Sequence, residues 1–138
     1  MNILITGGLG HIGSYILENI QKIKEVNKIY IIDNLSTQRF CSLFRMPKNN
    51  KKKFFYNENL SSKNILDKFV KVDVVINLAS ITDAEGSVKI RNKIYKNNLG
   101  IFNNVVNYCI KKKSKLIHIS STSVYGEQKG MVDETCQE

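Results

Sequence analysis

The chain has 138 residues, a hydrophobic share of 42% and a formal net charge of +9. That length suits one domain with one core, and the apolar share argues against disorder. No apolar run reaches the ~18–20 residues that span a bilayer, the opening MNILITGG lacks the regions of a signal peptide, and three widely spaced cysteines (Cys41, Cys109, Cys136) offer neither a disulfide framework nor a zinc site.

Asn2–Thr6 (NILIT) is a short apolar run ending in glycines and reads as a buried strand. His11–Lys24 places Ile12, Ile16, Ile20 and Ile23 at helical spacing. Lys28–Ile32 (KIYII) is a second strand, closed by Asp33. Residues 34–53 hold the only proline, Pro47, and read as a loop with a short helix around Phe40–Phe44. Phe54–Tyr56 is a third strand. Ser61 is placed to cap a helix through Val70, with Ile65, Leu66 and Phe69 on one side. Val72–Leu78 is a fourth strand, and Ser87–Lys112 a long helix with Ile101, Val105, Val106, Cys109 and Ile110 as its later apolar positions. Leu116–Ser120 is a fifth strand, and residues 127–138 read as a tail or loop after a domain of residues 1–126.

Strands that alternate with helices, and that are nearly continuous apolar runs, predict an α/β fold: a Rossmann-like, doubly wound parallel sheet. About five strands in the order 3-2-1-4-5 are expected. The lysines are spread along the chain, which favours a solvated surface over a nucleic-acid footprint. Lys111–Lys113 end a helix, where cations suit the dipole, and Lys51–Lys53 precede a strand. A positive surface also steers anionic nucleotides. The expected compartment is a reducing cytoplasm, with no membrane association.

Gly7, Gly10 and Gly13 follow a strand and open a helix. Glycines there let the backbone turn tightly and approach a phosphate, while the helix offers free N–H groups and its positive dipole end. Asp33 follows Gly13 at the ~20-residue interval of dinucleotide folds. Its carboxylate can accept both ribose hydroxyls and repels a 2′-phosphate, which favours NAD over NADP. The plainer alternatives are a strand–helix turn and a strand-end turn residue.

TGGLGHIGS (residues 6–14) with IIDNLST (31–37) resembles the extended short-chain dehydrogenase/reductase family, in its nucleotide-sugar epimerase and dehydratase branch. VINLAS (75–80), NNLG (97–100) and ISSTSVYG (119–126) resemble further motifs of that family, in order along nearly the whole chain. The resemblance implies NAD contacts from Gly7, Gly10, His11, Ile12, Gly13, Asp33, Asn34, Ser36, Thr37, Asn59, Leu60, Leu78, Ala79, Ser80, Asn97 and Ser120. It implies that Ser121 is the catalytic hydroxyl, bonded to the sugar oxygen that gains or loses a proton. Thr122 and Ser123 stand where the dehydratases keep Asp-Glu, so the epimerases are the closer branch.

There are departures. His11 replaces an aromatic residue, and Asn59-Leu60 replaces an Asp-Leu whose acid meets the adenine amino group, a bond an Asn oxygen can still accept. Asn77 replaces a frequent His, and His118 reads as a core-packed ring. The family's Tyr-x-x-x-Lys pair lies further along than Glu138. Tyr108…Lys112 falls at the wrong end of its helix and Tyr125…Lys129 spans a glycine. The chain therefore reads as the NAD-binding part of an epimerase cut before its catalytic pair, inactive alone, with a bare sheet edge at the fifth strand. In the full-length enzyme a nucleotide-diphosphate sugar would be the substrate, and the later part of the Ser87–Lys112 helix would serve a homodimer. The alternative is a non-catalytic dinucleotide-binding or interaction module.

Overall fold

The computed structural model describes residues 1–44, 52–62, 64–82 and 87–121, together with residues 126, 130, 132, 133 and 135. In chain order they form β1 (Asn2–Thr6), α1 (His11–Ile20), β2 (Lys28–Asp33), α2 (Cys41–Phe44), β3 (Lys52–Asn57), a 3₁₀ turn (Ile65–Lys68), β4 (Val74–Asn77), α3 (Ser87–Lys112) and β5 (Lys115–His118). The strands make one parallel sheet in the order β3-β2-β1-β4-β5, as expected.

Strand alternation divides the core into two layers. On one face Leu4, Tyr30, Ile32 and Val75 pack with Ile101, Val105, Tyr108 and Cys109 of α3 and with Leu66, Phe69 and Val72. On the other, Ile3, Ile5, Ile29, Ile31 and Ile76 pack with Leu17 and Ile20 of α1 and with Val26. Burial on both faces is why the central strands are nearly continuous apolar runs, with polar residues only at their ends. Each fully buried Leu or Ile stabilises by about 1.5–3 kcal/mol before entropy is charged against it. Tyr30 stacks on Phe54 at 5.2 Å and Tyr56 meets Phe69 edge-on at 4.7 Å, which ties β3 into the first layer.

Several expectations need correction. α1 ends at Ile20 instead of Lys24, because residues 21–26 close as turns (Lys22 N–H to Asn19 O, Val26 N–H to Ile23 O) that bury Val26. Its buried face is Gly13, Leu17 and Ile20, while Ile12 and Ile23 are exposed. Ser61 caps no helix. Its N–H and hydroxyl both donate to Asn59 Oδ1, Asn64 takes the left-handed conformation (φ 60°), and only the 3₁₀ turn Ile65–Lys68 follows. Tyr108 replaces Ile110 on the buried face of α3, and Ile110 points outward.

β3 begins at Lys52, so Lys52 and Lys53 lie in an edge strand rather than ahead of it, where lysine blunts edge pairing. β4 is shorter than expected, and β5 stops at His118. Among the described residues β5 is the other edge, and Ile117, with Ile119 just past the strand, is exposed there. Most of 127–138, and residues 122–125, lie outside the described residues. No helix among the described residues is long and apolar enough to cross a membrane.

Candidate functional site

Because every strand is parallel, all five strand ends that carry predicted site residues lie along one edge of the sheet. In open α/β sheets this carboxyl edge is where ligands bind. After β1 comes the glycine loop, at the end of β2 Asp33, after β3 Asn59-Leu60, after β4 Leu78–Ser80 and after β5 Ser120-Ser121. The structure brings these segments together, and Asn97 joins them from the first half of α3.

Each glycine of the loop has its own reason. Gly7 sits at φ 63°, and a β carbon there would lie 2.8 Å from the Ala79 backbone. Only glycine suits both conditions. A β carbon on Gly13 would lie 2.6 Å from Gly7 O and from the Gly8 carbonyl, so α1 packs directly against the loop. Gly8 lies outside the three-glycine spacing, yet its β carbon would meet Ile31 Cγ2 at 2.7 Å. Gly10 differs: it is extended (φ −66°, ψ 178°) and a β carbon would meet only Gly7 O, at 3.3 Å. There the Gly7 carbonyl would have to give by only a few tenths of an ångström, a milder demand than at the other three glycines.

Gly10 is also the N-cap of α1, with no side-chain cap and no acid in the first turn. The first N–H groups of the helix, from His11 onward, therefore face outward with the positive dipole end. His11 and Ile12 are both exposed at this end. The His11 ring contacts Arg39 Nη1 at 2.6 and 2.9 Å, which places a guanidinium beside the helix N-terminus.

Asp33 braces the loop. Oδ2 accepts the Leu9 N–H at 3.0 Å and Oδ1 accepts the Leu35 N–H at 2.9 Å. A carboxylate offers about four acceptor positions, so one per oxygen remains for ribose hydroxyls. The turn reading and the ligand reading of Asp33 thus hold together. Asn34 Oδ1 accepts the Ser36 N–H at 3.0 Å in an Asx turn, and Ser36 and Thr37 are exposed.

On the β3 side, Asn59 Oδ1 already takes two bonds from Ser61, and only turning the Ser61 hydroxyl away frees a lone pair for an adenine amine. The Leu60 side chain is in the core, so only its backbone faces outward here. Asn104, which sequence reasoning missed, donates to Leu60 O at 2.7 Å and Ser62 O at 3.0 Å, fixing this loop to α3.

After β4, Leu78 and Ala79 are half-buried and Ser80 is exposed. Asn97 Nδ2 donates to Asn98 Oδ1 at 3.2 Å. Its neighbour Asn98 does more: it accepts the Ile81 N–H at 2.8 Å and donates to Ile81 O at 3.1 Å. Asn98 thereby clamps the β4 loop as a strand partner would. An Asn pair is a weak signal in sequence, and which of the two points at the loop depends on helix phase.

Ser120 and Ser121 are exposed beyond the end of β5. His118 corrects an expectation. It is exposed, with its ring 4.9 Å from Phe102 and its Nδ1 3.1 Å from Asn77 Nδ2, because β5 is an edge strand with no further strand beside it among the described residues. Tyr108 stands apart from the site: its hydroxyl donates to Val70 O at 2.6 Å, ahead of β4 and at the opposite edge of the sheet. Burial pushes the Tyr108 phenol up from its ordinary value, the reverse of what a proton-abstracting tyrosine needs. Tyr125…Lys129 lies outside the described residues. No cluster of His, Cys, Asp or Glu able to hold a metal occurs among the described residues.

Comparison with known proteins agrees with this geometry. Residues 3–138 match the family described as "NAD dependent epimerase/dehydratase family". A UDP-glucose 4-epimerase of Yersinia enterocolitica is 33% identical over 132 residues, covering 92% of this chain and 39% of its own length. A dTDP-D-glucose 4,6-dehydratase of Dictyostelium discoideum is 34% identical, covering 96% of this chain and 31% of its own. The crystal structure of UDP-glucuronic acid 4-epimerase from Bacillus cereus in complex with NAD superposes with a TM-score of 0.83 at 28% identity, over 99% of this chain and 45% of that one. The chain thus spans less than half the length of these relatives. The family depends on NAD, and the uncapped helix end headed by the extended Gly10 and the spare acceptors of Asp33 fit that cofactor. With the fold, the glycine loop and the match across residues 3–138 in agreement, the chain belongs to the NAD dependent epimerase/dehydratase family.

Proposed function

We propose that this chain is the NAD-binding portion of a nucleotide-sugar epimerase. The observation that carries the reading is the pairing of Gly10, the extended N-cap at the uncapped start of α1, with Asp33, which holds the same loop through the Leu9 N–H. Backbone N–H groups of the loop and of the first helical turn bind the pyrophosphate, and Asp33 accepts the adenosine ribose hydroxyls. Asn34, Ser36 and Thr37 line the ribose side, Asn59 and Leu60 the adenine, and Leu78–Ser80, Asn97 and Ser120 the rest of the cofactor. NAD, when bound, supplies the acceptor and donor of hydride. Ser121 hydrogen-bonds the sugar oxygen and holds its proton in line for transfer. A nucleotide-diphosphate sugar is the substrate class, as the names of the relatives suggest, and the missing Asp-Glu at Thr122-Ser123 favours epimerisation over dehydration.

Isothermal titration with NAD and NADP tests this reading. NAD is expected to bind at least tenfold more tightly than NADP, and Asp33→Asn to narrow that ratio by weakening NAD and admitting the 2′-phosphate. Equal affinity for the two, unaltered in Asp33→Asn, would refute the assignment.

A further inference from the structure

Thr6, Asn77 and His118 are register partners on three adjacent strands, so their side chains form a row across one face at the carboxyl edge. Thr6 and Asn77 are buried to within 1%. The Leu78 and Ala79 N–H groups, which can only donate, point at Thr6 Oγ1 at 3.2 and 3.3 Å. The hydroxyl proton therefore goes to Asn77 Oδ1, at 2.6 Å. That orients the amide, leaving Nδ2 to donate to His118 Nδ1 at 3.1 Å. The reversed amide would put a third donor on Thr6 Oγ1 and leave its proton with no acceptor in a buried site. Nδ1 must then be bare, with the ring proton on Nε2. Phe102 of α3 holds the ring at 4.9 Å, and the adjacent Ile119 N–H continues the ladder to Asn77 O at 3.4 Å.

The geometry points to a one-way hydrogen-bond relay, from the β4 loop amides through Thr6 and Asn77, that fixes His118 as the neutral Nε2–H tautomer and anchors the end of β5 bearing Ser120 and Ser121. His118 is thus a positioning residue. Its bearing on catalysis rests on the role proposed for Ser121, but the relay itself does not.

The chain has two histidines, His11 and His118, so ¹⁵N-labelled histidine gives two ring systems that a His11→Gln variant assigns. Long-range ¹H–¹⁵N spectra near neutral pH are expected to show His118 protonated on Nε2 and bare at Nδ1. Asn77→Asp replaces the donating amide with an acceptor and should move the proton to Nδ1. His118→Gln keeps an acceptor for Asn77 and should leave amide exchange at Ile119–Ser121 within twofold of wild type, whereas His118→Phe should raise it at least tenfold. A proton on Nδ1 in the wild type, or a tautomer indifferent to Asn77→Asp, overturns the relay. Equal exchange in the Gln and Phe variants overturns the positioning role. The wild-type spectrum decides the tautomer even if a variant fails to fold. No readout needs NAD, so a chain that does not bind NAD refutes the proposed function and leaves the relay standing.

Discussion

Two alanine substitutions in the glycine loop should have opposite signatures. On Gly13 the new β carbon meets Gly7 O and the Gly8 carbonyl at 2.6 Å. These are backbone atoms, so relief means lifting the loop off α1. Overpacking of this kind costs about 1–3 kcal/mol. With an unfolding entropy of ~2.1 cal/mol/K per residue, or roughly 0.3 kcal/mol/K for this chain, Gly13→Ala should lower Tm by about 3–10 °C. At Gly10 the extended conformation suits any residue, and the nearest atom, Gly7 O at 3.3 Å, has to give by only a few tenths of an ångström. Gly10→Ala should therefore move Tm by less than about 3 °C, because that small shift is offset by the freedom removed from the unfolded chain. Its methyl group, however, would occupy the space a phosphate oxygen needs. A misfit of ~1.4 kcal/mol is tenfold in affinity, so NAD binding should weaken by that factor or more. Circular-dichroism melts and calorimetric titration measure the two effects. A Gly10→Ala protein that binds NAD like the wild type, or a Gly13→Ala protein that melts with it, would refute the division of roles.

Three further outcomes are expected. Burial raises both Cys109 and Tyr108 above their ordinary values, so each favours the protonated form in the folded state. That contribution is complete below the ordinary values of 9.0 and 10.0 and declines as pH rises beyond them, because the unfolded chain then loses protons that the folded chain keeps. Urea midpoints followed from pH 8 upward should fall, and fall less steeply in a Cys109→Val, Tyr108→Phe double variant. An equal slope in both proteins would count against it. Asn98→Leu removes both bonds to Ile81 and should cost about 1–3 kcal/mol, with faster amide exchange at Ile81, while Asn97→Leu leaves that amide as it is. Asn104→Ala should loosen the Leu60–Ser62 segment, seen as faster proteolysis or exchange there, with the Gly7–Gly13 loop unaffected.

Much of the site was legible as pattern. Gly7, Gly10, Gly13 and Asp33 are residue types whose backbone freedom or charge has few uses at that spacing, so they point to a dinucleotide before any coordinates exist. The apolar strand runs also carry their own explanation, since only a sheet buried on both faces needs them. Helix phase was less legible. Ile12 and Ile110 satisfy a helical period yet face outward, because the buried faces are Gly13, Leu17 and Ile20 on α1 and Ile101, Val105 and Tyr108 on α3, while Ile23 lies past the end of α1. The segment around Ser61 has the letters of a capped helix, but Asn59 claimed Ser61 first.

By itself, then, the sequence determined the strand–helix alternation, the sheet order expected from it, and the cofactor class, because these follow from local periodicity and from residues with singular chemistry. Tertiary structure alone decided which polar side chains act together. Thr6, Asn77 and His118 are separated by dozens of residues and meet only through strand register. Asn98 rather than Asn97 clamps Ile81, and Asn104 reaches Leu60, for the same reason. A hydrogen bond depends on an ångström of placement and on what the partner atom already accepts, and neither is written along the chain.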